Sequence, residues 1–537
     1  MVSWEVIAKA TAFIAEEMGA ALRRSAFSPN IRERADLSCA VADSEGRIVA
    51  QAEHIPVHLG SFRVGVANLL EWLEREGVEL GEGDMVVVND PYIAGTHLND
   101  VMLLAPVYYG GRLVGYVVNK AHHVDVGGPV PGSMNPAAKT IYEEGLVIPP
   151  VKLVKKGVVD RELMRIIAEN FKSQTAVGDL SAQVAANLRG IREVSALVGK
   201  YGLSAVAEAW ERAVEHAREL TTRAMSEWPV GAYEAEDYLE YGDRDLVIRA
   251  RVELLGSKVR VDYTGTSENV EAPLNAVYGV TFAASAFPVK CLVGEDVPVN
   301  EGFYSTIEVY APEGSLLNPR KPLPVSGGNV ETSQRVVDVI FKALAEALPG
   351  KVPAASSGTM MNVMIGGLHS DGSYWSYYET IGGGTGARPG KDGVSGVHVN
   401  MTNTMNTPVE VAERYYPIMY TRYTIREGSG GGGLYRGGDG IVRSFVLLEG
   451  SAVLSVLADR FRHRPWGLWG GEPGMPGRVR IIKPNGEVFE MPSKFTTTIY
   501  RGDEVVIETP GGGGIGPGIL EVLSKKVPKP EKAQSCA

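Results

Sequence analysis

Three glycine runs lie in the last third of the chain: IGGGTGARPG (381–390), EGSGGGGLYRGGDG (427–440) and TPGGGGIGPG (509–518). Segments so poor in side chains cannot supply the apolar face of a helix or strand, and glycine costs roughly 0.5–1 kcal/mol against alanine inside either element. What glycine allows is tight turning and close approach of backbone to backbone. The runs therefore predict a β-dominated region of closely packed turns. They look superficially like phosphate-cradling loops. None carries the G-x-x-x-x-G-K-[ST] pattern, and none follows a strand, opens a helix and meets an acidic residue about 20 positions later. No nucleotide-binding motif is readable. Glycine makes up 64 of 537 residues, against ordinary usage of about 7%, and the excess is clustered in these loops.

A chain of 537 residues exceeds what one hydrophobic core serves, so more than one domain is expected. Composition is that of a globular protein, 44% apolar and 22% charged. A net charge of −11 disfavours a nucleic-acid partner, which needs a basic surface. The three cysteines, Cys39, Cys291 and Cys536, are too few and too odd for a disulfide framework and suggest a reduced, cytoplasmic setting. The N-terminal segment is broken by Glu5, Lys9, Glu16 and Glu17, unlike a signal peptide. No window is apolar enough to suggest a membrane span.

Apolar residues at Val6, Ile7, Ala10, Phe13, Ile14 and Met18 predict a helix over 3–25. Alternation around Asp43-Ser44-Glu45-Gly46 predicts a hairpin over 37–51, and residues 60–76 read as helical. Strands are expected near 84–89, 101–108 and 112–119, the last two joined at Gly110-Gly111. Residues 160–228 turn helical and end at Pro229-Val230-Gly231. A second hairpin turns at Gly256-Ser257, and a helix is expected over about 329–348. The predicted fold class is α+β and multi-domain, with hairpin-rich mixed sheets, a central helical segment and a glycine-rich β-dominated C-terminal part. The expected division is residues 1–228, then 229–522, then a polar, proline-broken, disordered tail over 523–537.

Five of the nine histidines, His54, His58, His97, His122 and His123, fall within seventy residues. His97-x-x-Asp100 enters one predicted strand and His122 ends its hairpin partner, so antiparallel pairing should bring them together. Two imidazoles and a carboxylate can form a three-ligand site with open positions, suited to Zn, Mn, Fe or Co. For a single histidine at a strand end, a satisfied polar group is the simpler reading; the grouping favours a site. Pro56 argues that His54–His58 is extended, with both histidines facing substrate or supporting the ligands, or serving structure alone. Asp36 begins an apolar strand among Arg32, Glu33 and Arg34. It could be a base or nucleophile, or an ordinary turn aspartate.

The segments RERADLSCAVADSEGRIVAQAEHIPVHLGS, NDPYIAGTHLNDV, AHHVDVGGPVPGSM, YEEGLVIPPVKL, GDLSAQVAAN, VDYTGTS, NPRKPLPVSGGN and EGSGGGGLYRGGDG keep one order from residue 32 to 440. On them the sequence resembles the hydantoinase B/5-oxoprolinase family, the second subunit or half of ATP-dependent enzymes that open lactams and hydantoins. Acetone and acetophenone carboxylases carry a related subunit. The resemblance implies a hydantoinase A-like ATPase partner that binds ATP and phosphorylates the substrate carbonyl, and a hetero-oligomer. It implies a divalent transition metal, Zn or Mn foremost, on His97, Asp100 and His122. It implies attack on the activated carbonyl by Asp36; Asp100 is the other catalytic candidate, and His54, His58, His123 and Asp125 are candidates near substrate or behind the ligands. A carboxylase subunit and a non-catalytic scaffold for the ATPase are the rival readings.

Overall fold

The computed structural model describes residues 3–52 and 54–526. Strands β1 (Leu37–Asp43), β2 (Ile48–Gln51), β3 (Met85–Val88), β4 (Asp100–Tyr109), β5 (Arg112–His122), β6 (Val151–Lys155) and β7 (Val158–Val159) form one sheet in the order β2-β1-β5-β4-β3-β6-β7. Every neighbouring pair in it is antiparallel. Side chains alternate between the faces of a strand, and here both faces are buried. Cys39, Val41, Val87, Leu103 and Val117 pack with the helices Trp4–Ser25 and Ala176–Tyr201. Ala40, Ala42, Val86, Met102, Leu104 and Val118 face the helix Pro56–Arg75 through Phe62, Val66 and Leu69.

That last helix corrects the extended reading of residues 54–58. It begins at Pro56, in its first turn, where proline's fixed φ suits a helix and its missing N–H is not needed. Proline here starts a helix instead of excluding one. Gly60 and Gly65 let the helix lie close to its neighbours, since a Cβ at Gly60 would collide with Ala283 and one at Gly65 with the carbonyl of Ala94.

Helices Arg161–Asn170, Ala176–Tyr201 and Leu203–Ser226 fill the expected helical segment. Beyond it, β8 (Gly231–Tyr241), β9 (Arg244–Leu254), β10 (Val259–Asp262) and β11 (Ile307–Tyr310) make a second sheet, with β10 and β11 parallel. It shares a core with the helices Tyr278–Val293 and Ser333–Leu344, and that core also takes in Ile55, Val57 and Met134. The remaining strands are β12 (Asn362–Leu368), β13 (Tyr374–Thr380), β14 (Ile418–Arg426), β15 (Gly440–Leu447), β16 (Ser451–Leu457), β17 (Arg478–Ile482), β18 (Val488–Met491), β19 (Lys494–Tyr500) and β20 (Glu504–Glu508). They form sheets β13-β12-β16-β19 and β14-β15-β20-β17-β18, which share a third core. The α+β, several-sheet architecture is as expected.

The glycine runs come together beside these sheets. Gly431 N–H donates to Gly512 O, Gly512 N–H to Gly438 O, Gly438 N–H to Thr385 O and Gly513 N–H to Ala355 O, all at 2.8–2.9 Å. A Cβ at Gly384, Gly437 or Gly512 would collide with the carbonyls of Gly438, Gly512 and Thr385 respectively. Backbone packs on backbone, and the amides of Gly431, Gly438, Gly512 and Gly513 are already bonded within it. The helix Gly518–Lys526 occupies the start of the expected disordered tail, because Ile519 and Leu523 find apolar partners in Ala354, Ala387 and Ile515. Residues 527–537, with Cys536, lie outside the described part.

Candidate metal centre

The register of the β4–β5 hairpin sets Asp100 directly opposite His122. Both belong to the face that looks toward the helix Pro56–Arg75, the face of Met102 and Val118. His97 reaches them from a tight loop. Gly95 there takes φ +84°, which a side chain would resist, and Asp100 N–H donates to His97 O at 3.1 Å. Asp100 Oδ1 lies 3.3 Å from His97 Nε2 and 3.4 Å from His122 Nδ1. All three residues are buried, and among the described residues they form a group able to hold a metal ion.

The donor set fits a metal on more than proximity. Both ring nitrogens of His97, both carboxylate oxygens of Asp100 and Nε2 of His122 are buried without a hydrogen-bond partner. Ligand atoms about 2.0–2.2 Å from a tetrahedral ion lie about 3.3 Å from one another, close to the spacings seen. Burial alone would raise the Asp100 carboxyl, but His97 and His58 hold it well below the usual carboxylate range. Burial pushes His122 down against the pull of Asp36. Carboxylate and neutral imidazole are the forms a metal takes.

His58 enters from the first turn of its helix. Its Nε2 lies 3.2 Å from Asp100 Oδ2 and its Nδ1 3.1 Å from Ser38 Oγ, so it braces the carboxylate from behind. Asp36 is brought to the same place, its Oδ2 3.7 Å from His122 Nδ1 and 4.0 Å from the Arg34 guanidinium. Its carbonyl accepts the His122 N–H at 3.0 Å. The preceding Ala35 sits at φ +55°, a left-handed conformation costly for a non-glycine residue.

Three other sequence candidates are directed elsewhere. His123 faces the opposite side of the sheet, with Nε2 2.9 Å from Gln183 Oε1 and its ring edge-on to Phe171. Asp125 ties its own loop, accepting from Gly127 N–H, Gly132 N–H and the Ser133 hydroxyl. His54 packs on Gly19, with Nε2 3.6 Å from Glu16.

Sequence reasoning passed over the residues that close the site. Tyr378 stacks on His122 at 4.7 Å and 10°, and the buried Arg34 lies over the Tyr378 ring. The Tyr378 hydroxyl donates to Asn362 Oδ1 at 2.9 Å. A small cavity of about 20 Å³ results, room for about one water molecule. Asp36, Asp100, His122, Asn329 and Thr380 make its polar side; Ile55, Val57, Val330 and Met360 make its apolar side. Arg34 and Asn329 stand in the motifs RERAD and PVSGGN, which could have flagged them; Tyr378 had no local signal. A larger apolar cleft lined by His54, Leu59, Ala283 and Phe287 holds no comparable group of ligand atoms.

Fold and site together define a several-sheet protein with a buried His–Asp–His group able to take a metal, opening on a small half-polar cavity. The hydantoinase B/oxoprolinase sequence profile matches residues 1–518, and the chain belongs to that family. It is 49% identical to an uncharacterized protein of Methanocaldococcus jannaschii, over 95% of this chain and 90% of that one. It is 39% identical to 5-oxoprolinase 1 of Arabidopsis thaliana over 94% of this chain, but spans only 41% of that protein. A Pseudomonas protein named as the putative B subunit of a D-/L-hydantoinase is 32% identical, with 94% and 88% covered. Among solved structures, the ATP-dependent caprolactamase of Pseudomonas jessenii superposes with a TM-score of 0.88 at 28% identity, covering 96% of this chain and 90% of that one. Acetone carboxylase shares the fold, with a TM-score of 0.87 at 20% identity and 96% and 75% covered.

Proposed function

We propose that this chain is the B component of an ATP-dependent cyclic amidohydrolase. It completes the opening of a hydantoin, 5-oxoproline or similar lactam whose carbonyl oxygen a hydantoinase A-like subunit has phosphorylated. The observation that carries this reading is the buried group of unpartnered atoms on His97, Asp100 and His122, of which Asp100 and His122 line one small cavity with Asp36. The use of the Gly431, Gly438, Gly512 and Gly513 amides in backbone packing supports placing ATP on the partner. So do a relative named as one subunit of a hydantoinase and an oxoprolinase more than twice as long as the region shared.

An unstrained amide carbonyl is a weak electrophile and its nitrogen a poor leaving group, which is why activation must come first. His97, Asp100 and His122 would hold a divalent transition metal, Zn or Mn foremost given an N₂O donor set. Bound there, it would supply Lewis-acid polarisation and a more acidic water. Asp36 takes the proton of the water whose oxygen adds to the activated carbon. The C–N bond then breaks as the nitrogen takes two protons, the one held by Asp36 and the one released as the added hydroxyl becomes a carbonyl. This leaves an amine and an acyl phosphate, which a second water hydrolyses to carboxylate and phosphate. Asp100, braced by His58, fixes the ligands. Ile55, Val57, Val330 and Met360 hold the ring's methylene side away from water.

The test joins the purified chain to a hydantoinase A-like ATPase and supplies 5-oxoproline, hydantoin or caprolactam with ATP. Ring-opened product in step with ADP supports the reading. ATP-dependent carboxylation of acetone with bicarbonate, without ring opening, would replace it with the carboxylase alternative; neither activity would leave the scaffold.

A further inference from the structure

A metal-ligating histidine is ordinarily held in plane by a hydrogen bond from its other ring nitrogen. His122 is held differently. Its Nδ1 is turned to the ligand side, 3.4 Å from Asp100 Oδ1 and 3.7 Å from Asp36 Oδ2. Nε2 is then the nitrogen left to orient the ring, and it is buried without a hydrogen-bond partner. What lies along the ring is Tyr378, stacked at 4.7 Å between centroids with 10° between the planes.

Tyr378 is tied in turn. Its hydroxyl meets Asn362 Oδ1 at 2.9 Å. Asn362 Nδ2 donates to Leu457 O and to Glu331 Oε1, each at 2.7 Å. Both amide hydrogens are spent on acceptors, so Oδ1 can only accept and the phenol must donate. Glu331 Oε1 also accepts the Met360 N–H at 3.0 Å, and Met360 lines the cavity. Glu331, Asn362 and Tyr378 are all buried. Glu331 reaches this place on an irregular backbone. It lies in one π-turn, Gly328–Thr332, that runs into the helix Ser333–Leu344, and such turns occur mostly at functional sites. The turn rests directly on a neighbouring segment, since a Cβ at Gly328 would collide with the carbonyl of Asn275.

We propose that Glu331 is a positioning residue of the metal centre, setting the plane of His122 through Asn362 and the stacked ring of Tyr378. The inference rests on the metal centre placed on His97, Asp100 and His122. The chain of contacts needs an oxygen at Oε1 to receive the Asn362 and Met360 donors. An amide side chain of the same length supplies one; an apolar side chain leaves two buried donors without an acceptor and frees the Asn362 amide to turn over.

The test uses the full-length chain with Co²⁺ as the probe metal. Visible absorption bands report the geometry at the metal, and competition with a chelator gives the affinity. Glu331→Leu should alter the bands and weaken Co²⁺ by about 10-fold or more, the usual size of a change behind the ligands. Glu331→Gln keeps the acceptor and should restore the bands, with affinity within about 2-fold of wild type. Tyr378→Leu removes the stacked ring and should weaken Co²⁺ at least as much as Glu331→Leu. Adding Glu331→Leu to it should change the affinity no further, because both act along one chain of contacts. Wild-type bands and affinity in Glu331→Leu, no recovery in Glu331→Gln, or a full further loss on top of Tyr378→Leu would overturn the positioning role and leave the metal centre standing. Wild type that takes up no Co²⁺ would overturn the metal centre and the inference with it. Should Glu331→Leu not fold, Tyr378→Phe decides, since it keeps the ring but releases it from Asn362: altered bands support the role and unchanged bands overturn it.

Discussion

The glycine bundle and the histidine cluster are both buried, and they treat polar atoms in opposite ways. In the bundle, Gly431, Gly438, Gly512 and Gly513 donate to carbonyls of neighbouring segments. Around Asp100, five atoms of three side chains lack a hydrogen-bond partner, and charge contacts such as His58 Nε2 to Asp100 Oδ2 at 3.2 Å are what surround them. A buried polar group left unpaired typically costs about 1–3 kcal/mol, so the cluster is a place the fold disfavours unless something binds there. The bundle resembles a ligand loop in sequence, yet these four amides are spent on its own backbone. Composition marks where backbone packs; unsatisfied chemistry marks where a ligand belongs.

The contrast can be broken from either side, and the largest effect belongs to the bundle. A Cβ at position 512 would collide with the carbonyl of Thr385, and no side chain can move aside to admit it. Gly512→Ala should lose about 3 kcal/mol or more, or fail to give folded protein; soluble yield and thermal unfolding read this out. Near wild-type stability would mean that the runs are loose loops after all.

Next comes Asp36→Asn, which keeps shape and hydrogen bonding but removes basicity. With the ATPase partner present, ring opening should fall by about 10²-fold or more, while metal content and unfolding temperature hold. Product formed per ATP consumed is the measurement. A near-normal ratio would return Asp36 to a turn residue beside Arg34.

A smaller effect concerns Glu331, whose Oε1 accepts from Met360 N–H and the Asn362 amide while Oε2 is unpaired. Burial raises its carboxyl from 4.5 to about 8. The folded state therefore favours the protonated form. The stability this contributes is full below about 4.5, declines as pH rises and is gone above about 8. Glu331→Gln should flatten the fall in denaturation midpoint between those values; an unchanged slope would assign it to other groups. The smallest effect belongs to Gly372, at φ +83° with open space where a Cβ would go. Gly372→Ala should lose only about 1–2 kcal/mol, from backbone strain alone.

Much of the architecture was legible because it is periodic. The stripe from Val6 to Met18 predicted the first helix, and the Gly110-Gly111 turn located the β4–β5 hairpin. Yet a bulge between Val107 and Tyr108, which no sequence signal announced, is what sets Asp100 opposite His122 and not Ala121. The start of the helix at Pro56 was not legible, since proline is compatible with both an extended segment and a first helical turn. Among the candidates, neighbours in sequence parted company. His122 and His123 point to opposite faces of the strand, and only His122 joins the cluster. Tyr378 comes from more than 200 residues away, and no local pattern could announce that it meets His122 and Asp36 in one cavity.

The most direct test is the metal content of the purified chain and three variants, read by elemental analysis. Wild type should carry about one divalent transition metal per chain. His97→Ala and His122→Ala should lose it, since even changes behind a ligand commonly cost ~10- to 100-fold in affinity or activity. His123→Ala should keep it, because that ring is bonded to Gln183 on the far face. Metal held at the wild-type level by both His97→Ala and His122→Ala would contradict the metal centre placed on these residues.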